Sequence, residues 1–177
     1  MKLSRRYTPP ALLAILCGML LMAASACSIS FSMNGSALNY DIYKTISFGS
    51  FPIRAALVYP PLQQTFENEL IDAVARQTRL QIVDRNADLE MTGEITGYSL
   101  SPQAVGDDAY ATQTRLTITV HVKYTDTKNP ANSSDQSFSA YRDFSADMML
   151  NDVQDELCAQ ICEELVDLIF NATLGNW

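Results

Sequence analysis

Between Arg115 and Tyr124 the chain alternates without a break. Leu116, Ile118, Val120, Val122 and Tyr124 fall on one side, and Arg115, Thr117, Thr119, His121 and Lys123 on the other. A two-residue period is that of a strand with one face against a core and the other in water. Upstream, Leu89, Met91, Gly93, Ile95 and Gly97 interleave with Glu90, Thr92, Glu94, Thr96 and Tyr98 in the same way. Strands of a doubly covered parallel sheet read as continuous apolar runs, so two half-wet strands point to antiparallel pairing with one dry face. That face needs a cover.

Two helical stretches can provide it. Leu62, Phe66, Leu70, Ala73, Val74 and Gln77 recur every three or four residues over 61–78, after Pro60-Pro61. A second helix is expected from Asn151 to Ala172, with Val153, Leu157, Ile161, Leu165, Leu168, Ile169 and Ala172 on one stripe. Asn151 is its expected N-cap. Asp152, Asp155 and Glu156 sit where the helix dipole favours anions, and Gly175 follows as a stop. Shorter strands are expected within Tyr40 to Phe51, Leu80 to Val83 and Phe138 to Phe144, with a turn at Asn86 and loops over 101–112 and 126–135. Gly93 and Gly97 are both placed on the apolar face, where they admit a close neighbour. The order β–α–β–β–β–β–α predicts an α+β fold. It is a two-layer α/β sandwich, with a mixed, mostly antiparallel sheet of four to five strands and two helices on one face.

The first residues read as an address. Lys2, Arg5 and Arg6 precede an apolar stretch from Ala11 to Ala26 that is short of the ~20 residues a membrane span requires. It exits through Ala24-Ser25-Ala26 into Cys27, which looks like a bacterial lipobox. Cys27 is therefore the expected lipidation site, its thiolate accepting the lipid; an ordinary leader with an incidental cysteine is the alternative. Several acyl chains on Cys27 would hold the protein in a membrane, at ~0.8 kcal/mol per buried CH₂. The chain divides into a signal peptide (1–26), a Ser-rich lipidated tether (27–39) and a folded domain (40–177). Cleavage removes three basic residues and no acidic one, so the formal charge goes from −8 to −11. That balance excludes a strongly basic nucleic-acid binder. The 151 residues left after position 26 can bury a core without staples.

Little in the domain points to catalysis. His121, the single imidazole, lies mid-strand on the polar face with no nucleophile motif to support it; a solvated sheet residue is the plain reading, and a hydrolase built on it the remote one. Asp107-Asp108 and the pair Asp84 and Asp88 lack calcium-loop spacing. Cys158 and Cys162 are four apart on a helix, with no further ligand to complete a zinc site, and read as small buried residues. No metal and no cofactor beyond the covalent lipid on Cys27 is expected. Arg115 and Lys123 share the polar face with His121, and Lys128 follows in the next loop; against an acidic background they could form a local anion-binding spot. Arg142 falls on the apolar side of the last strand.

Several stretches in order carry a family resemblance: Leu62 to Phe66, Gly93 to Tyr98, Arg115 to Val120, Lys128-Asn129-Pro130, Gln136 to Ser139, Asp167 to Asn171 and Asn176-Trp177. On them, residues 27–177 resemble the lipopolysaccharide-assembly lipoprotein family (LptE), in its Bacteroidetes branch. The resemblance implies a two-layer sandwich anchored by an N-terminal lipid, without enzymatic activity. It also implies a plug within the lumen of an outer-membrane β-barrel of the LptD type, which helps deliver lipopolysaccharide to the outer leaflet. The partners it implies are that barrel, lipopolysaccharide and the outer membrane. In Bacteroidetes-type lipoproteins an acidic cluster after the lipidated cysteine accompanies surface export, and its absence here favours the periplasmic side. Arg115, Lys123 and Lys128 are then the candidates to meet lipopolysaccharide phosphates. An envelope adaptor for another secretion or assembly machine is the alternative.

Overall fold

Both alternating stretches are strands, and both run past the end of their apolar pattern. The computed structural model describes residues 38–104 and 111–175. The leader, Cys27 with most of the tether, and Asp107-Asp108 lie outside the described residues. The elements are β1 (Thr45–Phe48), α1 (Pro61–Gln77), β2 (Gln81–Ile82), β3 (Leu89–Ala104), β4 (Ala111–Asp126), a 3-10 turn (Pro130–Asn132), β5 (Ser134–Ser145) and α2 (Leu150–Thr173). The sheet order is β2-β1-β3-β4-β5. β1 is parallel to β2 and β3, whereas β3–β4 and β4–β5 are antiparallel. The β1–α1–β2 crossover is what makes the sheet mixed. The fold is an α+β sandwich, as its alternation and two amphipathic helices require.

Leu116, Ile118, Val120, Val122 and Tyr124 of β4 are all essentially inaccessible to water, and so are Leu89, Met91 and Ile95 of β3. The two helices cover this face: α1, opened by Pro61 at its first position, with Leu62, Phe66, Leu70, Ala73 and Val74, and α2, which packs on β4, β5 and α1, with Leu157, Ile161, Leu165 and Ile169. Each buried aliphatic or aromatic side chain contributes about 1.5–3 kcal/mol, so this layer is the main source of stability. Phe51 packs edge-on to Phe66, ring centroids 5.1 Å apart. Packing reaches back to Leu38, which is buried in the core.

Several local expectations are corrected. β1 is four residues long, because Asn39 turns the preceding chain: its carbonyl accepts from the amides of Ile42 and Tyr43, and its Oδ1 from that of Asp41. The segment read as a loop over 101–112 is largely strand, since β3 continues to Ala104 and β4 starts at Ala111. There β4 is still paired on both sides, Gln113 to Arg115 lying between Ser101 to Gln103 of β3 and Asp143 to Ser145 of β5, and the backbone ladder carries the strands past the end of the apolar pattern. β5 likewise begins at Ser134, within the expected loop. α2 is capped by Met149 in an extended conformation with no side-chain cap bond, so Asn151 lies inside the first turn and is not the N-cap. Leu168 is 42% exposed; the buried stripe instead takes in Val166 and Phe170 beside Cys158 and Cys162, which are buried as expected, because α2 packs on both the sheet and α1.

The two strand glycines separate. Gly93 faces the core: an added Cβ would meet the Phe51 ring at 2.7 Å and the His121 carbonyl oxygen at 2.1 Å. Gly97 does not. A bulge between Ile95 and Gly97 shifts the register, so Ile95 pairs with Val120 but Gly97 with Thr119. Gly97 thereby turns to the polar face, where a Cβ would lie 2.9 Å from Thr119 Cβ, and Tyr98 turns inward to be buried.

Candidate functional site

The uncovered face of β3, β4 and β5 is a ladder of hydroxyl, amide and charged groups. β4 sets Arg115, Thr117, Thr119, His121 and Lys123 on it, and β5 places Asp143, Tyr141, Ser139, Ser137 and Asp135 opposite them, in that order. Thr119 Oγ1 and Ser139 Oγ are 3.1 Å apart. His121 Nε2 lies 2.6 Å from Asp135 Oδ1. At one end Arg115 donates from Nε and Nη2 to the two oxygens of Asp143 at 2.7 and 2.8 Å, while its guanidinium lies 3.7 Å from the centre of the Tyr141 ring. The pairing holds the Asp143 carboxyl below the usual range and raises the guanidinium. This is a rigid, internally neutralised fork.

The other end is organised by two carboxylates. Asp88 accepts from the amides of Lys44 and Thr45 at 2.8 and 3.1 Å and from Lys128 Nζ at 3.0 Å. The Lys44 amide is the largest cause that draws its pKa down to about 2. Asp126, buried at the end of β4, accepts from Tyr43 Oη at 2.7 Å and from the amides of Lys128 and Asn129 at 2.9 and 2.8 Å. Together they tie the chain's entry to the β4–β5 loop. Asp88, whose pairing with Asp84 lacks calcium-loop spacing, is thus a structural staple.

The structure therefore does not gather Arg115, Lys123 and Lys128 into one spot. Lys123 lies eight residues along β4 from Arg115, about 27 Å at strand rise. Arg115 and Lys128 are committed to carboxylates, whereas Lys123 makes no ion pair among the described residues. Arg142 reaches over the helical side instead, to Glu164 and the Gln160 carbonyl of α2. Cys158 and Cys162 are buried under the covered face, and burial raises their thiols to about 11 and 12, so both are unreactive. Among the described residues no group of three or more His, Cys, Asp or Glu could hold a metal ion, and no helix is long and apolar enough to cross a membrane.

One feature escaped the sequence reading. A shallow cleft of about 190 Å³ lies between Tyr40, Tyr43, Lys44, Arg79 and Gln81. Arg79 sits over the Tyr40 ring at 5.8 Å. Lys44 and Arg79 are far apart in the chain and meet because Gln81 donates to the Lys44 carbonyl as β2 joins β1. The two-residue strand that does this carries too little pattern to announce it.

The family profile for lipopolysaccharide assembly, LptE, matches residues 43–173, well over half of the chain and nearly all of the sandwich. The chain belongs to the LptE family. Its members are non-enzymatic lipoproteins with a role in lipopolysaccharide assembly. A hypothetical protein from Chlamydia trachomatis has the same fold: TM-score 0.53 at 11% identity, covering 76% of this chain and 99% of that one. A minor lipoprotein from Acinetobacter baumannii aligns at TM-score 0.48 and 16% identity over 72% of this chain and 90% of its own. The rare lipoprotein B from Shewanella oneidensis aligns at 0.43 and 12%, over 71% and 89%. Among curated proteins none matches the chain.

Proposed function

We propose that this LptE-family protein is anchored to the outer membrane through acyl chains on Cys27. On its periplasmic side it occupies the lumen of an LptD-type β-barrel, which it supports in lipopolysaccharide delivery. The observation that carries the reading, beyond family membership, is the uncovered sheet face. A plug in a polar, water-filled lumen needs a stable body whose outer surface is hydrophilic and already hydrogen-bonded. The Thr/Ser ladder and the Arg115–Asp143 and His121–Asp135 pairs supply that surface. The lipid keeps plug and barrel at high effective concentration.

In this reading the protein has no catalytic role and no cofactor besides its lipid. Arg115, Lys123 and Lys128 are proposed to meet lipopolysaccharide phosphates. Lys123 is the cation that needs no carboxylate displaced first, and Arg115 and Lys128 act as supporting charges. Depletion in the native bacterium is the test: surface lipopolysaccharide should fall while lipopolysaccharide accumulates behind the outer membrane. Unchanged surface lipopolysaccharide on full depletion would overturn the proposal.

A further inference from the structure

The mature domain carries nine lysines and arginines. Five are in ion pairs: Arg54 with Glu94, Arg76 with Glu69, Arg115 with Asp143, Lys128 with Asp88 and Arg142 with Glu164. The other four, Lys44, Arg79, Arg85 and Lys123, make none among the described residues. Their placement is uneven. Lys44 immediately precedes β1, Arg79 lies just before β2, Arg85 is in the β2–β3 connection, and Lys123 is three residues from the end of β4. Parallel pairing of β1 with β2 and β3, and antiparallel pairing with β4, bring these positions to the same end of the sheet. This is also the end where the chain enters at Leu38.

Two more features coincide there. Lys44 and Arg79 line the cleft with Tyr40 and Tyr43, and Arg79 is held over Tyr40. Ile42 and Ile82, beside these residues in sequence, are 47% and 42% exposed. Unpaired cations, tyrosines and exposed aliphatic side chains are the set that an anionic membrane surface selects. The cations meet phosphates, Tyr40 sits at headgroup level, and the aliphatic tips enter the boundary, while Tyr43 is buried with its hydroxyl on Asp126. Over this end as a whole Asp41, Asp84, Asp88, Asp126 and Asp135 balance Lys44, Arg79, Arg85, Lys123 and Lys128, so the cationic character is local to the cleft that Lys44 and Arg79 line.

We propose that this end of the domain is a membrane-contact surface for anionic phospholipid headgroups, with Lys44 and Arg79 binding the phosphates and Ile42 and Ile82 entering the interface. The inference rests on Cys27 being the lipid anchor. Leu38 is eleven residues on from Cys27, so the entry end cannot lie more than about 40 Å from the acyl chains. The far end of a 16-residue strand is about 50 Å beyond. Chain length thus keeps this end of the sandwich within reach of the bilayer. The surface would orient the body with respect to the membrane.

The test uses the lipidated protein with Ile82→Cys carrying an environment-sensitive fluorophore, reconstituted into nanodiscs that contain a brominated phosphatidylcholine quencher. The buried Cys158 and Cys162 escape labelling. Nanodiscs of phosphatidylcholine alone are compared with ones containing phosphatidylglycerol or lipid A. Strong quenching with phosphatidylglycerol is expected. It should fall by at least about half in 0.5 M salt or in Lys44→Glu/Arg79→Glu, and persist in Lys44→Arg/Arg79→Lys. Equal quenching with phosphatidylcholine alone, a response to lipid A but not phosphatidylglycerol, or no quenching would each overturn the proposal. The mass of the same preparation reports separately on acyl chains at Cys27. If they are missing, the anchor reading fails, and flotation of the labelled protein with phosphatidylglycerol vesicles decides the surface: binding lost in the Glu variant upholds it, and no binding overturns it.

Discussion

Gly93→Ala probes the step on which the whole sandwich depends, the close joining of β3 to β4 under the Phe51 ring. The methyl group would sit 2.1 Å from the His121 carbonyl oxygen and 2.7 Å from Phe51 Cε1. Carbon–oxygen contacts normally stay beyond about 3.3 Å, so the strands would have to part by roughly 1 Å. Phe51 can be trimmed, but the carbonyl is backbone at the centre of the longest ladder and cannot yield alone. Overpacking of about 1–3 kcal/mol, with one or two weakened ladder bonds at about 1 kcal/mol each, gives an expected loss of about 3–4 kcal/mol. In a domain of this size that lowers Tm by about 10 °C or more. The assay is thermal and urea unfolding of purified wild type, Gly93→Ala, Gly97→Ala and Gly93→Ala/Phe51→Leu. Gly97→Ala should cost about 1 kcal/mol, because its contact with Thr119 lies at the bulge on the solvent side. The double variant should be no more stable than Gly93→Ala. A loss below about 0.5 kcal/mol, or recovery on trimming Phe51, would refute the reasoning.

Three further outcomes are expected. Asp88 has a folded pKa of about 2, below its unfolded value near 4, so its contribution is complete above pH 4 and lost as pH falls from about 4 to 2. With the side chain 19% exposed, Asp88→Asn should cost about 1–2 kcal/mol in urea unfolding at pH 6, and the difference from wild type should fall to roughly a third of that at pH 2.5. Asp126→Ala removes the acceptor of Tyr43 Oη and of two loop amides, and should cost about 2–4 kcal/mol by the same assay. Arg115→Glu/Lys123→Glu should weaken binding of purified lipopolysaccharide by at least about tenfold. Because Arg115 is already paired, Lys123→Glu alone should account for most of the loss, and unchanged affinity would remove both residues from the site.

The strands and helices that carry the core were legible because their side chains repeat with the period of the element. Leu116 to Tyr124 and Leu62 to Val74 are buried where the pattern placed them. Thr96 was not legible as a bulge: Gly97 has no side chain to betray its face, and Tyr98 tolerates either environment, so nothing in the residues marks where alternation changes phase. The polar ends of β3, β4 and β5 were missed for a related reason. A backbone ladder needs no apolar residue, and Pro102, a turn signal in sequence, is accommodated beyond the last contact of β3 with β1. The polar face itself was read correctly from the residues opposite the core. Its pairings were not readable, since Asp143 and Asp88 come from other strands and loops and only the register brings them to Arg115 and Lys128.

What surrounds the polar face in the cell decides the role of this domain. Affinity purification of the lipidated protein after mild detergent extraction, with mass measurement of whatever co-purifies in stoichiometric amount, tests this most directly. The expected result is one large outer-membrane β-barrel in a one-to-one complex. Recovery of the protein alone, or with an inner-membrane or peptidoglycan-bound companion instead, would contradict it.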